Sequence, residues 1–414
     1  MEEQLKIDFK KLIENSNFSK KNVEIKRKNL DNFIEKGFPN KREENWKFSD
    51  LNQIISKNIE NLSFYNDLSK PNKIEQSIFI DGLEHNKLVF VNGRIEKIEL
   101  DYEEKNKIEV IDDLVLEKSD NISNSLIFLN NAFVSKYFKL IVKKNYSLKK
   151  PLVIYNITNK DLVSKSINLK IDILLEENSS LKLVEFSNDK STTNFININC
   201  RFDLHKNSIL KNYKIDNNSN SNIKYYFNNI RQDTDSISEI FLLSSGSEFI
   251  KNEINCNLSG KYASAFVNGI FILNEKKHHE IKTSINHLVE NTKSYQLIKG
   301  VLEDTSKAVY QGKIFVEAKA QKTDGYQLSK AILLNENTEF NAKPELEIYA
   351  DDVKCSHGSA SGNLNEDSIF YLMSRGLNYK EAKKLLINGF LLDVVEKITD
   401  NEIKNLIKNI VSLK

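Results

Sequence analysis

The chain has 414 residues, and its 60 Lys plus Arg against 58 Asp plus Glu leave a formal charge of +2, which speaks against a nucleic-acid or membrane-surface protein. Its 13 glycines, 4 prolines and 3 cysteines exclude collagen-like and low-complexity chains, a disulfide framework, and a four-thiolate metal site supplied by this chain alone. No run approaches the ~20 apolar residues of a membrane-spanning helix. The start Met1-Glu2-Glu3-Gln4-Leu5-Lys6 lacks the basic-then-apolar pattern of a secretory leader, so the expected location is the cytoplasm.

Helices come first. Leu5, Phe9, Leu12 and Ile13 share one helical face, and after Ser19, a candidate N-cap, so do Val23, Leu30, Phe33 and Ile34, until Gly37 and Pro39 end the segment. Trp46, the only tryptophan, stands among charges in Arg42-Glu43-Glu44-Asn45-Trp46-Lys47-Phe48 and reads as an aromatic half buried at a helix start, with ligand stacking as the functional alternative.

From about Ile78 the period changes to two. Leu88-Val89-Phe90-Val91, then Asn92-Gly93, then Arg94-Ile95 predicts a hairpin on a two-residue type I′ turn. Short strands follow from Leu126 to Tyr349. In Phe195–Leu204 the set Ile196, Ile198, Cys200, Phe202 and Leu204 points one way, and Asn197, Asn199, Arg201 and Asp203 point to a wet face. Asn178-Ser179-Ser180-Leu181 and Asn207-Ser208-Ile209-Leu210 resemble each other at an offset of 29 residues. A strand region of this length suits a stacked β-solenoid or β-helix, with a large double sandwich as the alternative.

The last fifty residues return to helix. Gly376 closes one helix, Asn378 with Glu381 forms a capping box for the next, and Ile403, Leu406, Ile407, Ile410 and Val411 make an amphipathic stripe. Between them, Leu385, Leu386, Ile387, Phe390, Leu391, Leu392, Val394 and Val395 wrap most of a helix, which predicts burial on two sides, in a small bundle or under a partner.

Motif by motif, catalysis is hard to find. Gly260-Lys261 and Gly312-Lys313 lack the glycine five positions earlier that a phosphate-cradling loop needs. His278-His279-Glu280 meets Thr283 where a zinc-protease helix needs its second histidine, and Gly358-Ser359-Ala360-Ser361-Gly362 has alanine at the nucleophile position. Cys200 and Cys256 lie on the apolar side of alternating runs and read as core. Cys355 differs, because in Asp351-Asp352-Val353-Lys354-Cys355-Ser356-His357-Gly358 the i, i+2 spacing puts Cys355 and His357 on one side, about 7 Å apart along a strand. Lys354 and an imidazolium would lower the thiol pKa. The alternative is a plain surface loop or strand end. One Cys and one His are half of a tetrahedral set, so a metal or cluster held there needs ligands from a second chain.

The run Pro344 to Gly358, Phe370-Tyr371-Leu372 with Ser374-Arg375-Gly376, Thr292 to Gly300, Gly312 to Val316 and Glu44-Asn45-Trp46-Lys47-Phe48 together resemble the SufB/SufD family of iron–sulfur cluster assembly proteins, on its SufD side. Ser359-Ala360-Ser361 departs from the Ala-Thr common there, and Glu280 stands for an Asp usual before His287. The resemblance implies a mainly β fold: a right-handed parallel β-helix core flanked by helical domains, here residues 1–75, 76–355 and 356–414. It implies a noncatalytic scaffold, not an enzyme. This scaffold pairs with a SufB-like subunit and docks a SufC-like ATPase through C-terminal residues such as Phe370, Tyr371, Leu372, Arg375, Leu386 and Phe390. By the same resemblance no permanent cofactor is expected. Iron or a nascent cluster is shared transiently with SufB at His357, the expected metal contact, with Cys355 beside it. A homodimer is the expected alternative assembly of the isolated chain, with no nucleic-acid or membrane partner. The rival reading is a β-helix carbohydrate-active enzyme using Asp351 and Asp352, although adjacent strand residues face opposite ways and make a poor acid/base pair.

Overall fold

The computed structural model describes residues 2–64, 78–113, 123–160, 162–189 and 193–413. Helices α1 (Glu2–Glu14), α2 (Lys20–Lys36) and α3 (Leu51–Asn58) open the chain, α4 (Ser125–Phe133) interrupts the strands, and α5 (Glu366–Ser374), α6 (Tyr379–Val395) and α7 (Asn401–Ile410) close it. The first strands are β1 (Ser63–Phe64), β2 (Asn86–Val91), β3 (Arg94–Glu99), β4 (Ile108–Asp113), β5 (Tyr137–Val142) and β6 (Leu152–Thr158). Then come β7 (Lys165–Leu175), β8 (Ser180–Asp189), β9 (Phe195–Leu204), β10 (Ile209–Asp216), β11 (Ile223–Gln232), β12 (Ile237–Ser244) and β13 (Phe249–Leu258). The series ends with β14 (Ser264–Leu273), β15 (His278–His287), β16 (Lys293–Leu302), β17 (Lys307–Val316), β18 (Thr323–Leu333), β19 (Glu339–Ile348) and β20 (Val353–Gly362).

From β5 onward odd strands pair with odd and even with even, always in parallel, so the chain coils between two facing sheets as a β-solenoid of about eight turns. Parallel ladders rule out the antiparallel double sandwich. A coil takes 26 residues where Ile223 pairs with Phe249 and 32 where Lys307 pairs with Glu339. The 29-residue offset seen in the sequence is this coil. Asn145, Asn178, Asn207, Asp235, Tyr262, Asn291 and Lys322 all have φ between 56° and 64° at successive corners. Asn and Asp tolerate that left-handed conformation at the least cost among side-chain-bearing residues. At Asn178 and Asn207 the next residue, Ser179 or Ser208, donates its hydroxyl three residues back at 2.6 Å, and Asn207 Nδ2 reaches Asn178 Oδ1 at 2.9 Å.

Three apolar layers result. Between the sheets lie Leu169, Ile198, Phe202, Ile254, Ile285 and Leu302. Helices α1 to α4 cover the outer face of the odd sheet around Phe195, Tyr225 and Phe249, and α6 with α7 cover the outer face of the even sheet around Tyr155, Tyr213 and Phe241. The expected hairpin is present, with Val91 opposite Arg94 and both Asn92 and Gly93 at positive φ.

Several expectations are corrected. Residues Leu126 to Phe133 form α4, not a strand: Asn124 caps it through Leu126 N at 2.9 Å, and because the helix is squeezed between α2 and the solenoid even its two polar residues, Asn130 and Asn131, are buried, so no amphipathic period is left to read. The polar side of β9 is not wet at its start, because α4 lies on it and Asn197 Nδ2 donates to Leu126 O. Trp46 is 2% exposed rather than half buried, lying in a 3-10 turn with the Lys251 ammonium 4.3 Å from its ring centroid and Tyr225 beside it. The last strand runs to Gly362, past the expected boundary at 355, while the expected boundary at 75 lies outside the described residues. Helix α6 buries Ala382, Asn388, Leu391, Val394 and Val395, but Leu385 stays open to solvent, so the burial expected around most of its apolar residues is incomplete. The capping box of Asn378 and Glu381 and the positive φ of Gly376 are as expected. No helix among the described residues is long and apolar enough to cross a membrane.

Candidate functional site at the open end of the solenoid

At one end the coiling stops. Among the described residues β19 pairs only with β17 and β20 only with β18, so both last strands keep a free edge. Pro344, which has no N–H to give a ladder, sits on β19, where a proline is tolerated. Gly325 pairs with Cys355, Gln327 with His357 and Ser329 with Ser359. Gly325, Gln327 and Ser329 are buried inside the solenoid, so β20 turns Cys355, His357 and Ser359 toward the same interior. Contacts agree: Cys355 packs against the small cluster of Ile314, Val316, Ala320 and Ala350, and Ser329 donates to Ser359 at 3.1 Å. With no further coil above them, these inward positions open to solvent, and His357 is exposed and makes no hydrogen bond or ion pair among the described residues.

Cys355 is half buried, and this desolvation pushes its thiol pKa up, with the Asp324 carboxylate adding to the effect. The expected lowering by Lys354 fails because alternation sends that side chain to the opposite face, in register with Asp324. Beneath the mouth the interior turns polar: Thr283 and Tyr310 both donate to Gln296 Oε1, and Tyr310 leans on Gln327, the cross-strand partner of His357. Gly312 makes this possible, since a Cβ there would meet Gln327 Oε1 at 2.1 Å and the Tyr310 hydroxyl at 2.4 Å.

Other sequence candidates are structural. Cys200 and Cys256 are buried in the core with thiol pKa values pushed up by burial, that of Cys256 to about 12. His287 is fully buried between Thr292 and Ser294, and burial lowers its pKa to about 4. His279, held by Ser244 and the Ser247 carbonyl, is lowered by burial to about 4 as well. Glu280 pairs with Lys251, which also donates to Asn45 O at 2.7 Å and so ties the Trp46 turn to the solenoid. Asp351 and Asp352 occupy the corner between β19 and β20, not a strand, and Asp352 N is held by Gln321 Oε1 at 2.9 Å. No group of three or more His, Cys, Asp or Glu among the described residues is arranged to hold a metal ion.

The C-terminal residues divide. Phe370 is 74% and Tyr371 56% exposed, and the Arg375 guanidinium lies 5.2 Å from the Tyr371 ring centroid. Leu372 and Leu386 are half buried. Phe390 faces the solenoid instead of solvent: Lys299 Nζ lies 4.5 Å from its ring and bonds its carbonyl at 2.9 Å, which makes it an anchor of α6. Met373, Tyr379 and Leu385 are exposed as well. Their sequence signal is an apolar residue on the solvent side of a capped helix.

Residues 156–390 match the family model described as "SUF system FeS cluster assembly, SufBD core domain". The chain belongs to the SufBD family. It is 27% identical over 383 residues to the iron–sulfur cluster assembly protein SufD of Escherichia coli, covering 91% of this chain and 89% of that protein. An iron–sulfur cluster assembly SufBD family protein of Synechocystis is 24% identical over 399 residues, 91% of this chain and 87% of the relative. SufD of Bacillus subtilis is 28% identical over 173 residues, 42% of this chain and 39% of that protein. The family span takes in the end of β6, all of β7 to β20, α5 and most of α6, and therefore both the solenoid mouth and the exposed apolar residues Phe370, Tyr371, Met373, Tyr379 and Leu385.

Proposed function

We propose that this SufBD protein is a noncatalytic scaffold of iron–sulfur cluster assembly whose open solenoid end meets a second SufBD solenoid, of the SufB kind, and that iron or a nascent cluster is held there as cargo between His357, with Cys355 beside it, and ligands of the partner. The observation that carries this reading is that β19 and β20 each keep one free edge among the described residues, with β20 presenting an inward-facing, exposed histidine where a further coil would otherwise stack. Free edges favour strand-on-strand continuation, and half a ligand set favours a shared site. The same edges support a homodimer when the partner is lacking. The exposed patch of Phe370, Tyr371, Met373, Tyr379 and Leu385 is read as the docking face for a SufC-like ATPase.

The decisive experiment is anaerobic coexpression with the partner subunits, followed by cluster reconstitution with iron and sulfide analysis. His357→Ala is expected to leave folding and copurification intact while bound iron and sulfide fall; an unchanged cluster yield overturns the role of His357. Isolated chain that cleaves a polysaccharide would overturn the scaffold reading in favour of an enzyme.

A further inference from the structure

A separate cavity of ≈ 530 Å³ lies between the N-terminal helices and the outer face of the odd sheet. Its floor is the row Phe249, His278, Lys307 and Glu339, which are consecutive partners across β13, β15, β17 and β19. The opposite wall comes from the segment Lys47–Asp50 and from α3, with Lys41 and Lys276 at the sides. This is the outward face of the coil, so the cavity is distinct from the inward face that carries His357.

Its charges do not cancel. Lys307 is neutralised by Glu339 at 2.7 Å, and the Asp50 carboxylate is engaged in capping α3 through Gln53 N at 2.8 Å. Lys41, Lys47, Lys57 and Lys276 also line the cavity, and none of them has an ion-pair partner among the described residues. With Asp50, still charged, and Glu248, the described lining sets three carboxylates against five lysines, an excess of two positive charges. That excess of positive charge around one hollow is relieved when an anion joins it. Ser49, 2% exposed, contributes to the same wall. Phe48 and Ile54 give the hollow an apolar side. Its volume falls within the range of about 300–1,000 Å³ typical of small-molecule sites.

We propose that this cavity binds a small molecule carrying a di- or oligophosphate group, the phosphates lying among the lysines and any organic part against Phe48 and Ile54. Lysine ammonium groups suit phosphate as mobile point charges that the ligand draws together. Such a ligand would bridge the N-terminal helices and the last coils of the solenoid.

The test titrates the full chain with ADP and with inorganic pyrophosphate, read by calorimetry and by the fluorescence of Trp46, the neighbour of Lys47 and the only tryptophan. Saturable one-site binding is expected. It should weaken about tenfold or more in the double variant Lys47→Glu, Lys276→Glu and hold in Lys105→Glu, a charge reversal in the turn before β4, because specific pairing rather than overall charge supplies the affinity. Preference for ADP would identify a nucleotide; equal affinity for pyrophosphate would identify a free oligophosphate, and either supports the site. Absence of saturable binding by wild type, binding retained in the double variant, or equal loss in Lys105→Glu overturns it.

Discussion

The inward face of the solenoid has the same geometry in its middle and at its end, yet the two regions differ in chemistry. In β9 and β13 the inward positions are Ile198, Cys200, Phe202, Ile254, Cys256 and Leu258, all buried between coils. In β20 the corresponding positions are Val353, Cys355, His357, Ser359 and Ser361, and only the coil below covers them. A parallel coil completes its neighbours' core, so the last coil has nothing to complete it. An apolar inward row there would be a sticky open end. The small and polar residues in its place suit a face that is solvated alone and covered in an assembly. The difference teaches that Cys355 cannot be interpreted by analogy with Cys200 and Cys256, although all three occupy inward strand positions.

Alanine substitutions at inward positions of the two regions should expose that contrast most strongly. Leu258→Ala, inside the stack, is expected to cost about 2–5 kcal/mol, because a fully buried leucine leaves a cavity that rigid coils on both sides cannot close. Val353→Ala, one inward row of the last coil, should cost less than about 1 kcal/mol, since that position is only half buried. Urea unfolding midpoints measure both. Similar costs at the two positions would mean that the last coil is as tightly packed as the middle.

A second contrast is electrostatic. The middle of the odd sheet holds the buried Lys251–Glu280 pair under Trp46, whereas the mouth carries no such buried pair among the described residues. Burial alone would raise the Glu280 pKa, but the Lys251 and His278 charges bring it down to about 2, below its ordinary 4.5. The unfolded chain therefore binds the extra proton between these values. The pair's contribution is complete above pH 4.5 and is lost as the pH falls toward 2. His279 and His287, lowered by burial to about 4 from 6.5, act earlier: they favour the fold above pH 6.5 and weaken it as the pH falls to 4. Acid titration of wild type should show both limbs by circular dichroism, and Glu280→Gln should flatten only the lower one. An unaltered lower limb in that variant would show that other carboxylates set it.

Much of this was readable from residues. The hairpin at Asn92-Gly93, the caps at Ser19 and Asn378, and the inward set of β9 follow from short-range chemistry, and the structure places them as the sequence predicts. The coil itself left a fainter mark. Its repeat is one left-handed residue followed by Ser or Thr, as at Asn178-Ser179, Asn207-Ser208, Asp235-Ser236, Asn291-Thr292 and Lys322-Thr323. A corner constrains so few positions that the strands between are free to drift apart in sequence. Helix α4 was illegible because every side of it is covered, and the burial of Asn197 and Trp46 depends on elements far away in the chain. At the mouth, the pairing of Cys355 and His357 on one face followed from spacing. Its exposure did not, since strand spacing is silent about whether another coil follows.

The smallest expected effect lies on the C-terminal helices, where two phenylalanines twenty residues apart have opposite situations. Phe390 packs on the solenoid under Lys299, and Phe370 projects into solvent. Phe390→Ala should destabilise the chain measurably, because it loses both apolar contact and the cation over its ring. Phe370→Ala and Leu385→Glu should shift the melting free energy by no more than about 0.5 kcal/mol, as exposed positions without partners do. If the patch is the ATPase docking face, these same two substitutions should abolish copurification with the SufC-like subunit while the SufB-like subunit is retained. Removal of everything beyond Gly376 is the less discriminating experiment, because it would also uncover the apolar outer face of the even sheet that Leu391, Val394, Val395, Ile403 and Ile407 now cover. Unchanged ATPase binding by Phe370→Ala and Leu385→Glu, at unchanged stability, would move the docking face elsewhere on the molecule.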